Sequence, residues 1–336
     1  MTILVTGGCG FIGSNFIRYM LERHPEYTIV NFDKLTYAGN LENLSGIEKN
    51  PHYVFVKGDI CLPDDVKRTV VKYRVDTIVN FASESHVDRS ILNPAAFVQT
   101  NVVGTGVLLD IARETGITKF LQVSTDEVYG SLGVTGKFVE TTHLHPNSPY
   151  AACKASADLL ALAYQHTFNV PVVITRCSNN YGPYQFPEKL IPLMIANAID
   201  GKALPVYGNG LNVRDWLYVK DHCTAIDTVL HRGKIGEVYN VGGNNEWTNL
   251  SIVKLLLKEL GKPESLITYV KDRPGHDHRY AIDATKIQNE LGWSPAVTFE
   301  QGIRKTIDWY LVNEALWRRV MSGEYKDYYR KWYEER

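Results

Sequence analysis

Short apolar, β-branched runs alternate with amphipathic stretches through the first half of the chain. They occupy 2–6, 28–32, 53–56, 77–81, 120–124 and 172–176. None alternates cleanly between apolar and polar positions, as expected of parallel strands covered on both faces. Between them, 94–114 carries Val98, Val102, Leu108, Leu109 and Ala112, and 148–166 carries Leu159, Leu160, Leu162 and Ala163; both read as long helices. The order predicts an α/β fold built on a doubly wound parallel sheet. After Arg176 the rhythm weakens through Asn179-Asn180-Tyr181-Gly182-Pro183, where a smaller lobe is expected to begin. Segment 213–241 again reads as strand, helix and strand. The expected division is therefore 1–176 plus about 213–241 for the first lobe, and about 177–212 plus 242–336 for a discontinuous second one. The aromatic and charged stretch 309–336 is expected to form a surface helix.

A length of 336 residues suits two lobes and a cleft between them. Lys plus Arg total 36 against 37 for Asp plus Glu, a formal charge of −1, so there is no basic footprint for nucleic acid. Met1 leads straight into Ile3-Leu4-Val5 without a signal-peptide pattern, which places the expected protein in the cytoplasm. No uncharged apolar run approaches the ~20 residues of a membrane span. Cys9, Cys61, Cys153, Cys177 and Cys223 are odd in number and widely spaced, and read as reduced packing residues.

Candidate chemistry begins at Gly7-Gly8-Cys9-Gly10-Phe11-Ile12-Gly13, between the first strand and a helical run. Gly7 suits a tight turn, Gly10 a close backbone approach to a pyrophosphate, and Gly13 close helix-to-sheet packing, the Rossmann arrangement for a dinucleotide. Asp33 ends the second strand twenty residues after Gly13, where a carboxylate accepts bonds from both ribose hydroxyls and repels a 2′-phosphate. The pattern favours NAD over NADP, with adjacent Lys34 the residue of opposite tendency. Asp59-Ile60 after the third strand and Phe81-Ala82-Ser83 after the fourth fall on the same binding edge.

Tyr150 and Lys154 lie one helical turn apart, so an ammonium beside the phenol is expected to lower its pKa from ~10 toward working pH. Ionised Tyr150 then accepts an alcohol proton as hydride leaves the same carbon. Ser124 and Thr125 follow the fifth strand, close to that alcohol, and Asp126-Glu127 come next. Alcohol oxidation needs no adjacent acid and base. The pair therefore points to a second task, with Glu127 taking a proton beside the new carbonyl and Asp126 protonating a departing hydroxyl.

Together these motifs resemble the extended short-chain dehydrogenase/reductase family (NAD-dependent epimerases and dehydratases), and within it the nucleotide-sugar 4,6-dehydratases. The resemblance rests on the glycine motif and on Asp33 to Asn40, Glu84-Ser85-His86-Val87-Asp88, Ser124 to Gly130 and Gly182 to Leu190. It implies Tyr150 as base for the C4 hydroxyl, with Thr125 bonding there, Lys154 in support, Asp126 as acid and Glu127 as base of elimination. It also implies that Phe11, Ile12, Lys34, Leu35, Thr36, Ser85, Thr100, Tyr150, Lys154 and Asn180 join the NAD site. For the substrate, implied to be dTDP-glucose, it implies Ser85, Asn179, Lys189, Leu190, Pro205, Tyr207, Arg214, Asn249, Arg273 and His276. It further implies a homodimer paired through 94–114 and 148–166. His276-Asp277-His278 lacks a complete ligand set, and no metal is expected. Ala151, Ala152 and Cys153 stand where family members commonly carry small hydroxylated residues. A dehydratase of another nucleotide sugar, a 4-epimerase and a non-catalytic NAD sensor are the alternatives.

Overall fold

The computed structural model describes residues 1–321. Its larger sheet takes β1 Thr2–Thr6, β2 Thr28–Asp33, β3 Tyr53–Lys57, β4 Thr77–Asn80, β5 Lys119–Thr125 and β6 Val172–Cys177. The remaining strands are β7 Asn179–Tyr181, β8 Leu204–Tyr207, β9 Val213–Tyr218, β10 Val238–Val241, β11 Glu246–Thr248 and β12 Ile267–Val270. β10 completes the seven-stranded sheet, whose order is β10-β6-β5-β4-β1-β2-β3 with every pair parallel. The order reverses between β1 and β4, and a crevice opens at the strands' carboxyl ends there.

The six long-range strands fall within a residue or two of their expected positions because both faces are covered. One core layer packs Phe16, Ile17 and Met20 of helix Phe11–Arg23 and Ile226, Val229 and Leu230 of helix Val219–Arg232. The other packs Val66, Leu108, Leu109 and Ala161 against the opposite face. A buried polar row crosses the switch point. Thr6 Oγ1 donates to Asn80 Oδ1 at 2.6 Å, Asn80 Nδ2 donates to Gln122 Oε1 at 2.8 Å, and Thr6 Oγ1 accepts from Ala82 N–H at 3.2 Å. These bonds satisfy groups that would be costly alone in a core, and they anchor the loop after β4.

A three-stranded sheet β11-β9-β7 and a two-stranded sheet β12-β8 carry the second core, which includes Ile195, Val206, Trp216, Leu256, Phe299 and Trp317. Within segment 213–241, β10 and its helix join the larger sheet, whereas β9 pairs with β7 and β11 in the smaller one. Ile287, Leu291 and Trp293, from beyond residue 242, pack into the first core. The expected helix over 309–336 is partly represented by Phe299–Val312 and Glu314–Val320; residues 322–336 lie outside the described residues.

The helix expected at 94–114 runs from Pro94 to Thr115 with a π-helical stretch at Val98–Val103. Among the described residues it is the one helix long and apolar enough to cross a membrane. Its uncharged stretch does not read as an apolar run because Gln99, Thr100, Asn101 and Thr105 interrupt it. Phe97, Leu108, Leu109, Ile111 and Ala112 are buried against the protein, and Asp110 accepts a bond from Tyr164 OH at 2.8 Å, which accounts for much of its apolar character by packing.

Candidate active site

Helix Phe11–Arg23 starts at Gly10 over the switch point, with Gly7 at φ +68°. A Cβ at Gly13 would sit 2.4 Å from Gly7 O, and one at Gly7 2.8 Å from Ala82 backbone, so only glycine closes this turn against β4. Asp33 is buried, its carboxylate accepting from Cys9 N–H and Leu35 N–H, each at 2.8 Å. Four lone-pair positions on a carboxylate leave room for ribose hydroxyls. Lys34 turns away onto Asp59 at 2.7 Å, which occupies the cation that had favoured a 2′-phosphate. The glycine cradle, Asp33 and the buried, unbonded Ser124 Oγ and Asn179 Oδ1 fit NAD.

The cradle opens into one cleft of about 410 Å³ that runs from the large sheet to the smaller lobe. Almost every predicted site residue lines it: Gly7, Gly10 to Gly13, Asp33, Lys34, Thr36, Asp59, Ile60, Phe81 to Ser83, Ser85, Thr100, Asn179 and Asn180 toward the dinucleotide end, and Thr125 to Glu127, Tyr150 and Lys154 at the centre. Lys189, Leu190, Pro205, Tyr207, Arg214, Asn249, Arg273 and His276 line it toward the smaller lobe. Leu35 is the exception. Its side chain packs on the first core, and its contribution is the N–H on Asp33.

β5 ends at Thr125, whose hydroxyl accepts from Glu127 N–H at 3.3 Å and caps the short turn Asp126–Tyr129. Thr125 Oγ1 also lies 3.3 Å from Asp126 Oδ1, while Asp126 Oδ2 is buried and unbonded. Burial holds the Asp126 carboxyl well above the usual carboxylate range, reinforced by Glu127 and Asp215. Burial also raises Glu127, but Arg273, Lys189 and Arg214 oppose the rise. Both carboxyls are thus raised, Asp126 the more strongly, because three cations oppose the rise at Glu127.

Helix Pro149–Phe168 presents Tyr150, its start fixed by Ser148 Oγ accepting from Ala151 N–H at 3.1 Å. Lys154 is not among the leading influences on the phenol, whose expected lowering is opposed by burial. Burial pushes Tyr150 well above 10, with Glu127 next in effect, while hydrogen bonding with Thr125 acts the other way. Lys154 is itself buried and donates to Val123 O at 2.7 Å, so backbone rather than phenol receives that proton. Burial likewise raises the Cys153 thiol, which opposes a nucleophilic role.

At the far end, Arg214 is buried and bonds carbonyls rather than a carboxylate: Nη1 to Val213 O at 2.7 Å and Nη2 to Asp277 O at 2.9 Å. Asp215 does not pair with it, since its oxygens accept from Gly243 and Asn245 N–H. Arg273 pairs with Asp88 at 3.2 Å, and Tyr207 OH donates to the other Asp88 oxygen at 2.9 Å. Lys189 donates to Ser85 O at 2.8 Å. His276 Nδ1 lies 2.6 Å from Asp272, and Asp277 bonds Asn147 and Tyr280, so these side chains already have protein partners.

Residues missed as site members include Asp88, Glu188, Cys177, Trp216 and Tyr280, all of which line the cleft. Two had a signal. Asp88 and Glu188 stand inside motif segments, and Glu188 bonds both Arg89 at 3.1 Å and Tyr37 at 3.1 Å, with Arg89 3.7 Å over the Tyr37 ring. That cluster joins three segments far apart in sequence into one wall.

The family model described as GDP-mannose 4,6 dehydratase matches residues 4–306. A dTDP-glucose 4,6-dehydratase from Xanthomonas campestris pv. campestris (strain B100) is 55% identical over 343 aligned positions, covering 97% of each chain. The chain belongs to the dTDP-glucose 4,6-dehydratase family. Another member of the dTDP-glucose 4,6-dehydratase family, from Bacillus anthracis str. Ames and solved in complex with NAD, is 56% identical with a TM-score of 0.90, covering 95% of this chain and 99% of that one. The Streptomyces venezuelae dTDP-glucose 4,6-dehydratase, solved with NAD bound, is 48% identical with a TM-score of 0.93 over 95% of this chain and 100% of that one.

Proposed function

We propose that this chain is an NAD-dependent hydro-lyase that converts dTDP-glucose to dTDP-4-keto-6-deoxy-glucose and water. The observation that carries the reading is the buried Asp126-Glu127 pair beside Tyr150, one carboxyl held protonated more strongly than the other. NAD supplies the hydride acceptor for C4 and the hydride donor for C6. Burial disfavours the ionised Tyr150 phenol and the bond with Thr125 favours it; as phenolate, Tyr150 takes the C4 hydroxyl proton while Thr125 bonds that oxygen. Lys154 keeps ammonium protons beyond its bond to Val123 O, which would be free for a cofactor ribose hydroxyl. A carbonyl at C4 acidifies the C5 hydrogen, Glu127 removes it, and Asp126 protonates the C6 hydroxyl as it leaves.

The larger sheet and its helices form the cofactor lobe in this reading, and the lobe carrying Lys189, Tyr207 and Arg214 holds the nucleotide. Arg214 and Arg273 suit a diphosphate because a guanidinium fork engages two oxygens at once. Incubation with dTDP-, UDP-, CDP- and GDP-glucose tests the substrate. The expected result is a dTDP product lighter by one water at the highest kcat/KM. An isomer of unchanged mass would make the chain an epimerase, and saturable NAD binding without product would make it a sensor.

We also propose a homodimer. Val98 and Val103 on helix Pro94–Thr115 and Leu159 on helix Pro149–Phe168 are exposed apolar residues on helices that pack side by side. Light scattering is expected to give twice the 38.0 kDa chain mass, and Val98→Glu with Leu159→Glu to give single chains. A monomeric wild type would end this proposal.

A further inference from the structure

His24, Asp227 and His231 form the one group of convergent metal-ligating side chains found among the described residues, and none of them lines the cleft. His24 follows the end of helix Phe11–Arg23, while Asp227 and His231 stand one turn apart on helix Val219–Arg232. Sequence gave no warning, because some two hundred residues separate the histidines. The two helices bring them together through their shared core, where Ile17, Met20 and Leu21 meet Cys223, Ile226 and Leu230.

His24 Nε2 lies 2.9 Å from Asp227 Oδ1, and His231 Nδ1 lies 2.9 Å from the same oxygen. The three ligand atoms fall within 4.8 Å of one another. Neighbouring donor atoms around a tetrahedral zinc ion stand about 3.3 Å apart; His231 Nδ1 also lies 2.9 Å from Asp227 O and the two imidazoles stack at 5.0 Å, so an ion takes the place of these contacts as the rings turn toward it. The outer atoms of two ligands are already held. Tyr19 OH donates to Asp227 Oδ2 at 2.9 Å, and Tyr27 OH lies 3.0 Å from His231 Nε2. Such outer bonds orient metal ligands and strengthen them. His231 is the most exposed of the three, with its side chain 28% accessible, so an ion reaches the group from the surface.

We propose that His24, Asp227 and His231 bind a divalent transition-metal ion, zinc being the best match to two imidazoles and a carboxylate. The ion clips the two helices that cover one face of the cofactor sheet and takes no part in the reaction. The alternative is a hydrogen-bonded His–Asp–His network without a metal.

The test uses the full chain with NAD bound, stripped with chelator at pH 7.5. Zn(II) titrated calorimetrically is expected to bind at one ion per chain and to raise Tm by about 5 °C at saturation. Co(II) is expected to give a visible absorption band from the same site. His24→Ala with His231→Ala weakens Zn(II) binding by about 100-fold or more and removes the Tm shift. His231→Ala alone, at the exposed position, does the same if the double variant folds poorly. Turnover without metal is unchanged in both. Absence of stoichiometric binding, or equal binding by wild type and His231→Ala, overturns the proposal and leaves the hydrogen-bonded network.

Discussion

Tyr150→Phe lowers turnover of dTDP-glucose by about 10³-fold while leaving NAD affinity nearly unchanged. The ring remains in its packing against Phe97, whose centroid is 6.3 Å away, so the substitution removes an oxygen without opening the helix start. Oxidation at C4 requires a base for the hydroxyl proton, and the later steps all depend on the C4 carbonyl. The variant is therefore also expected to stop solvent deuterium entering C5. Product mass spectrometry and deuterium incorporation measure both effects. Normal C5 exchange in Tyr150→Phe would remove Tyr150 from the role of base.

The neighbouring acid pair fails differently. Glu127→Gln is expected to stop C5 exchange and water loss together, while Asp126→Asn slows water loss by about 10²–10⁴-fold and keeps C5 exchange. The two substitutions preserve size, so the separation of readouts reports proton transfer. The pH dependence follows from the direction of the shifts. Asp126 acts protonated, so its contribution is lost as pH rises through its raised pKa; Glu127 acts ionised, so its contribution is lost as pH falls through its own. Asp126→Asn should accordingly lose the alkaline limb contributed by that acid. Rapid water loss in the double variant would overturn both assignments.

Much of this site was legible because its parts are local. The cradle from Gly7 to Gly13, the strand end at Asp33 and the strand-turn unit Ser124 to Glu127 each carry their chemistry within a few residues, and the parallel-sheet rhythm places all of them on one edge. The electrostatic setting of Lys154 was less legible. Helical spacing predicts that it shares a face with Tyr150, but it cannot say that Val123 O takes its proton or that burial outweighs its charge. Asp88 was overlooked because its role depends on Tyr207 and Arg273, which approach it from more than a hundred residues away.

Taken alone, the order of residues determined the sheet, the dinucleotide cradle, the acid pair and the family they belong to, since strand periodicity and turn glycines act over short stretches of chain. Tertiary structure decided which carboxyl burial raises the more, where Lys154 points, how Glu188 ties three motifs into one wall and that His24 meets Asp227 and His231. The physical reason is the same in each case: desolvation and long-range interactions depend on what surrounds a group in space, and Glu127 is set apart from Asp126 only when three distant cations oppose the effect of burial on it.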